Sequence, residues 1–396
     1  MTFLGDLCFK IGSGATPKGG KDSYRGGGYA LIRSQNVQDW EFTKSGLAYI
    51  NDEQASKLDA VQVESGDVLL NITGDSVTRA CIVPADIRKA RVNQHVCIVR
   101  PDGERLDNVY LLMFLESIKR RLLQIASSGA TRNALTKASI EALDLRLPTI
   151  EEQRRIAAPI RNISAQIDNL TQINGHLLEL TSAKYVELSK NQKNCNLNDI
   201  CEFVNDKTAI ENAVLETYVS TESLIADKRG RQIASKLPTS GKVTVYHPGD
   251  ILISNIRPYF KKIWFADCMG TCSNDVLAFR AKSDDMASLL YFTLYSDAFF
   301  EYTVAGSKGT KMPRGDKKQI MSYRIPAIDD VVKAFSSEAN RVLNLISTNR
   351  REIATLEQLR GTLLPKLMSG EIGVSKVELP TPPEQAQTST NGRLCG

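Results

Sequence analysis

Only three histidines, His95, His176 and His247, occur among 396 residues, and none sits in a G-x-S-x-G or H-E-x-x-H context. Relays of a nucleophile and a base, and zinc-dependent hydrolysis, therefore have no constellation to rest on. His176 reads as a residue near a helix seam and His247, before Pro248, as a turn residue, while His95 in a polar triplet is a candidate contact residue. The eight cysteines (Cys8, Cys81, Cys97, Cys195, Cys201, Cys268, Cys272 and Cys395) contain no C-x-x-C pair. That pattern suits reduced, mostly buried thiols better than a disulfide framework or a four-ligand zinc site, so no metal is expected. No uncharged apolar run approaches the ~18 residues of a membrane span. The opening MTFLGDLCFK lacks a basic n-region and carries Asp6 within its short apolar stretch, so no secretory signal and a soluble, cytoplasmic protein are expected. Charge bias is small as well: 50 Lys and Arg against 45 Asp and Glu leave a net +5. Such an excess leans towards a polyanionic partner while falling short of a self-sufficient polyanion binder.

Two motifs that would signal an enzyme fail on inspection. The glycine-rich stretch GSGATPKGGKD, residues 12–22, tested as a phosphate loop, has Ala15 where the first glycine belongs and Asp22 where the hydroxyl belongs. Paired acids occur at Asp329 and Asp330, and Thr149 with Glu152 forms a T-x-x-E pattern. Acids at those places satisfy the free N–H groups and dipole of a helix start. No bound cofactor is expected.

What the chain does contain is itself, twice. VESGDVLLNITGD (63–75) is echoed by YHPGDILISNIRP (246–258), NQHVCIVR (93–100) by SNDVLAFR (273–280), and LGDL at Leu4 by LNDI at Leu197. A fixed repeat is a statement about architecture. In the first half, residues 29–32, 68–72, 80–83 and 96–99 read as short strands; in the second, 218–219, 251–254, 263–265 and 276–279 do so. A helix follows in each half, and in the first Leu111, Leu115, Ile118, Leu122 and Ile125 share a single buried face.

Each half closes on a longer helix with a narrow apolar stripe. The first stripe runs through Ile156, Ile160, Ile163, Ile167, Leu170, Ile173, Leu177 and Leu180. The second runs through Phe335, Ala339, Val342, Ile346, Ile353, Leu356, Leu363 and Leu367, interrupted by Asn349 and Arg360. A stripe this narrow suits a coiled-coil seam, so the two helices are expected to pair as a rod of roughly 50 Å. The expected domains are 1–148, a long helix at 149–190, a second module at 191–326 opening on a turn-rich linker (191–196), a second long helix at 327–370 and a poorly ordered tail at 371–396.

The remaining signal is a set of loops at matching places in both halves, rich in side chains that read base edges and hold phosphates. In the first half they carry Thr16, Lys18, Arg33, Ser34, Gln35, Asn36, Thr73, Arg79, Asn93, Gln94, His95, Thr131, Arg132, Asn133 and Lys137. In the second they carry Thr221, Ser254, Asn255, Arg257, Tyr259, Lys261, Lys262, Ser273, Asn274, Lys308, Lys311 and Arg314. The framework repeats while these residues differ, which is the pattern of two readers of different sequence.

With SGATP, GGGYALIRSQNV, GDVLLNITGD, VNQHVCIVRP and LPTIEEQRRIAAPI in the first half, GDILISNIRPYFKKIW, CSNDVLAFRAK and GSKGTKMPRGD in the second, and LLPKLMSGEI near the end, the chain resembles the specificity subunit of type I restriction-modification enzymes. The resemblance runs from residue 1 to about residue 374. One departure is the second helix start, where Ile325-Pro326-Ala327-Ile328-Asp329-Asp330 lacks the Glu152-Gln153 of the first. The resemblance implies an α+β fold of two similar mixed α/β target-recognition domains joined by two long helices in an antiparallel coiled coil. It further implies a non-catalytic subunit that recognises a split, asymmetric site in double-stranded DNA. The implied partners are two modification subunits, which bind S-adenosylmethionine and methylate adenine, and restriction subunits that use ATP and Mg. The rival expectation is a coiled-coil scaffold that recruits proteins without reading DNA.

Overall fold

A computed structural model describes residues 2–17, 24, 26–127, 134–190, 195–309, 311–375 and 377. The chain forms two compact units, one of residues 1–168 with 355–396 and one of residues 169–354. Lys18, Thr131, Arg132 and Asn133 lie outside the described residues, as do residues 191–194 of the expected linker and 378–396 of the tail.

In the first unit, Cys8–Ser13, Val96–Pro101, Val68–Asn71 and Ala80–Ile82 make a four-stranded antiparallel sheet in that order. Val68–Asn71 is buried at every position because the sheet is covered on both faces. Val68, Leu70, Cys97 and Val99 join a core with the helices, whereas Leu69, Cys81, Val96 and Ile98 join a second core with Leu31, Ile32 and Val92. A strand with side chains alternating into two cores reads as a continuous apolar run. The second core includes the sheet Ala48–Ile50, Tyr29–Ile32, Ala90–Val92, whose last two strands are parallel. The second unit repeats the plan with Cys201–Phe203, Val276–Ala281, Ile251–Ser254 and Ile263–Phe265 in the same order. Its other sheet is Lys207–Ala209, Lys242–Tyr246, Gly270–Cys272 and Tyr218–Val219, again closing on a parallel pair.

The repeated Gly-Asp has a structural role in both units. Gly66 and Gly249 stand at φ of 85° and 91°, which a side chain would resist. Asp67 accepts two bonds from Arg100 at 2.7 and 2.8 Å and the Glu64 N–H at 2.8 Å. Asp250 accepts two from Arg280 at 2.8 and 2.7 Å and the His247 N–H at 2.7 Å. Each pair locks one end of its four-stranded sheet and leaves the opposite end to the loops.

Three expectations are corrected. The single helix with Ile118 on its face is two, Asn108–Ser117 and Lys119–Ser127, hinged at Ile118. The first is buried continuously from Val109 to Leu115 and the second only along Leu122 and Ala126, so a core helix and a surface helix meet where one face was read. The second unit breaks likewise, into Ala287–Tyr295 and Asp297–Ala305. The tail is not wholly unstructured from residue 371, since Ile372 and Val374 pack on the first core.

The third correction concerns the stripe of the long helix Ile150–Leu188. Ile173 and Leu180 are 38% and 59% exposed, and the buried positions are Asn174, Thr181, Tyr185 and Leu188 instead. Two successive three-residue steps, Ile167 to Leu170 to Ile173, lag behind a 3.6-residue turn, so the seam takes the next residue. Within the second unit this helix runs antiparallel to Asp330–Ser369: Asn349 donates to Asn174 at 2.8 Å, and Lys184 pairs with Glu338 further along. In the first unit, Arg360 donates to Ser164 at 3.3 Å and stacks 4.8 Å over Trp40, so the two residues that interrupted the second stripe are both partnered. Thr149 accepts the Glu152 N–H at 3.3 Å and Asp329 the Val332 N–H at 2.8 Å, capping the two helices alike. Gln153, fully buried, accepts the Asp107 N–H and donates to the Arg105 and Pro148 carbonyls.

Asn174 and Asn349 are both buried, and a lone amide in such a seam fixes register at a cost in stability. Asn174→Leu should lower the unfolding free energy by about 1–3 kcal/mol, because the amide of Asn349 is left unpartnered. Replacing both by Leu should restore most of it. Denaturant unfolding of the four members of the cycle measures the coupling.

Candidate nucleic-acid interface

Strand register sends the loops of each unit to one place. In the first, Asn71 pairs with Val96, Leu70 with Ala80 and Ser13 with Cys97, so the turns after Ser13 and Asn71 and before Ala80 and Val96 share one edge, opposite Asp67 and Arg100. Side chains then tie them. Thr16 hydrogen-bonds Gln94, whose amide lies 3.1 Å from His95 Nε2, and His95 Nδ1 lies 2.5 Å from the Thr73 hydroxyl. Arg79 donates to Gln38 at 2.6 Å, and Asn71 donates to the carbonyls of Ser34 and Val37. Leu135 N–H bonds the Ile72 carbonyl at 2.8 Å, bringing residues 134–136 alongside. Gln94 and Lys137 are exposed, and Lys137 pairs with Glu141 on its own helix at 3.5 Å.

The second unit builds the equivalent edge from different residues. Asn255 N–H bonds the Asp275 carbonyl, Gly315 N–H the Asn255 carbonyl and Arg257 N–H the Pro313 carbonyl. Arg314 pairs with Asp275 at 2.9 Å and Lys308 with Asp316 at 2.7 Å. The amine of Lys262 donates to the Thr221 carbonyl, and burial lowers its pKa. Lys228 and Lys261 share Asp297 at 2.8 and 2.6 Å, and their hydrogen bonds hold that carboxyl below the usual range. Asn274 bridges Lys207 and the Lys242 carbonyl, and Ser273 N–H bonds the Val219 carbonyl. Tyr259 stands 48% exposed.

Three of the side chains read as contact residues are buried braces. Asn36, fully buried, donates to the Thr43 and Ser45 carbonyls and accepts the Arg33 N–H. Asn93 accepts the His95 N–H, and Ser254 donates to the Ile256 carbonyl. A loop residue's polarity says nothing about which way it points, and these point inward to satisfy turns. Arg33 and Gln35 both donate to the Gly46 carbonyl from the surface. Lys311 is exposed without a hydrogen bond or ion pair among the described residues, and Arg257 Nε is buried without one. Phe260, 40% exposed, stands beside Tyr259 with ring centroids 4.7 Å apart, and the sequence signal for it is two adjacent aromatics inside a basic loop. No cluster of three or more His, Cys, Asp or Glu able to hold a metal occurs among the described residues, and no described helix is long and apolar enough to cross a membrane. The arrangement offers two edges of hydrogen-bond donors, acceptors and cations, each held rigid by its own network.

Residues 1–179 match the family model described as type I restriction modification DNA specificity domain. A Methanocaldococcus jannaschii protein named as type I restriction enzyme MjaX specificity subunit is 22% identical, over 94% of this chain and 93% of its own length. The type I restriction enzyme EcoBI specificity subunit of Escherichia coli is 26% identical over 41% of this chain and 34% of its own. Among solved structures, the S subunit of a type I restriction-modification system from M. genitalium is 14% identical, covers 92% of this chain and 94% of its own, and has a TM-score of 0.48.

Proposed function

We propose that this chain, a member of the family of type I restriction-modification specificity subunits, reads a bipartite, asymmetric DNA site, one half with the loop edge of each unit. The observation that carries this reading is the repetition of one sheet order with differing side chains at the same sheet edge. Each framework gives its unit one loop edge to set against a duplex, and different loops give each half-site its own sequence. The paired long helices set the distance between half-sites, as dimer geometry does for other DNA readers. The chain does no chemistry: two modification subunits bring S-adenosylmethionine and turn out the target adenine, and restriction subunits bring ATP and Mg, all in the cytoplasm. Its net charge of +5 fits a reader whose partners share the phosphate contacts.

Arg257→Ala or Lys311→Ala should weaken binding by about 1–3 kcal/mol at the half-site read by the second unit and leave the first half-site's discrimination unchanged. Binding of the assembled complex to duplexes mutated in either half-site checks this, and equal losses in both halves would refute the division of labour. A scaffold that reads no DNA would show neither sequence preference nor the steep salt dependence expected of phosphate contacts.

A further inference from the structure

Beside the second unit's loop edge lies an open cavity of about 290 Å³, lined by Glu222, Leu224, Ile225, Ala226, Gln232, Phe260 and Lys262. Its two walls are the segments 222–232 and 257–262, zipped together by Asp227 N–H to the Phe260 carbonyl and Lys228 N–H to the Lys261 carbonyl, both at 2.9 Å. Those walls are strained. Of the six non-glycine residues with positive φ among the described residues, four are here: Asp227, Lys228, Arg257 and Lys261, at 58°, 61°, 51° and 50°. Bulky residues held left-handed cost free energy and cluster where a ligand is clamped. The edge also exposes Tyr259 and Phe260 to water, an arrangement that marks a binding surface.

We infer that this cavity takes a single nucleobase turned out of the duplex held by the second unit, an inference that rests on the DNA-reading function proposed above. The space is at the lower limit of small-molecule sites, room for one flat heterocycle. Phe260 supplies a ring to stack on, and Leu224 and Ile225 an aliphatic floor. The Gln232 amide, the Glu222 carboxylate and the Lys262 amine, already fixed by Thr221, present both acceptors and donors to a base edge. Aromatic stacking combined with edge hydrogen bonds is how extruded bases are held. Tyr259, next to Phe260 on the same turn, is placed to fill the gap left in the stack. In the first unit the corresponding segment, SVTR at 76–79, carries no aromatic residue, so the device belongs to one half-site alone.

The test is a mismatch scan across the second half-site, with the chain assembled with its modification subunits. A mismatch removes the cost of unpairing, so at the position whose base enters the cavity it should tighten binding by about tenfold. Elsewhere in the half-site it should weaken binding. Phe260→Ala should abolish the gain at that position and leave intact any gain at the methylated adenine, which the partner extrudes. Gln232→Leu, an exposed position, should reduce the gain and carries the test if Phe260→Ala fails to assemble. Absence of any tightening position apart from the methylated adenine, or a gain unchanged in both variants, would overturn the cavity's role while site preference persisted. Loss of all preference for the site would instead bring down the DNA-reading function and this inference with it.

Discussion

Adding four residues to both long helices at facing points, after Leu177 and before Ile346, should lengthen the preferred spacer between half-sites by one or two base pairs. Each helix contributes residues to both units, 150–168 and 355–369 to the first and 169–188 and 330–354 to the second. Four residues add about 6 Å of helix, against ~3.4 Å of rise per base pair. They exceed one helical turn by only about 40°, so a seam can continue through the insertion. The Asn174–Asn349 bond lies on one side of it and the Lys184–Glu338 pair on the other, and both keep their partners. Insertion in one helix alone should break that register and lower affinity for every spacer. Competition among duplexes of graded spacer length measures the preference, and an unchanged optimum would exclude the helices as the ruler.

Asp250→Ala should destabilise the second unit by about 2–4 kcal/mol. The carboxylate, 2% exposed, is bound twice by Arg280 and once by the His247 N–H, so its removal strips three N–H groups of this acceptor. Asp67→Ala should do the same to the first unit through Arg100. Unfolding followed separately in each unit, by fluorescence of Trp264 in the second and Trp40 in the first, should register each loss only in its own unit. Asp250→Asn, which keeps one acceptor oxygen, should recover part of the loss. A loss below about 0.5 kcal/mol, the range of an ordinary surface substitution, would show that the repeated Gly-Asp is not a lock.

Local pattern carried far in the strands. Residues 29–32, 218–219, 251–254 and 263–265 are strands with those bounds, because short β-branched runs between turn residues have few alternatives. Cys8–Ser13, Ala90–Val92 and Gly270–Cys272 do not stand out in the sequence, each being too short, polar or glycine-bearing; their partners in the sheet make them strands. The loops were legible as a set and not as individuals. Gln94, Tyr259 and Lys311 are exposed, while Asn36, Asn93 and Ser254, no different in sequence, turn inward to hold the backbone.

Read alone, the sequence determines that this is a duplicated chain, where the apolar core strands and the two long helices run, and that its halves differ chiefly at matching loops. Those properties are encoded by periodicity and spacing within a few residues of one another. Only the tertiary structure decides that the seam passes through Asn174 and Thr181 instead of Ile173 and Leu180, that Asp67 and Asp250 lock Arg100 and Arg280, and that segments 222–232 and 257–262 close on a strained cavity. Each of these depends on partners tens to hundreds of residues away, whose approach is set by how whole elements pack, and no local window contains that information.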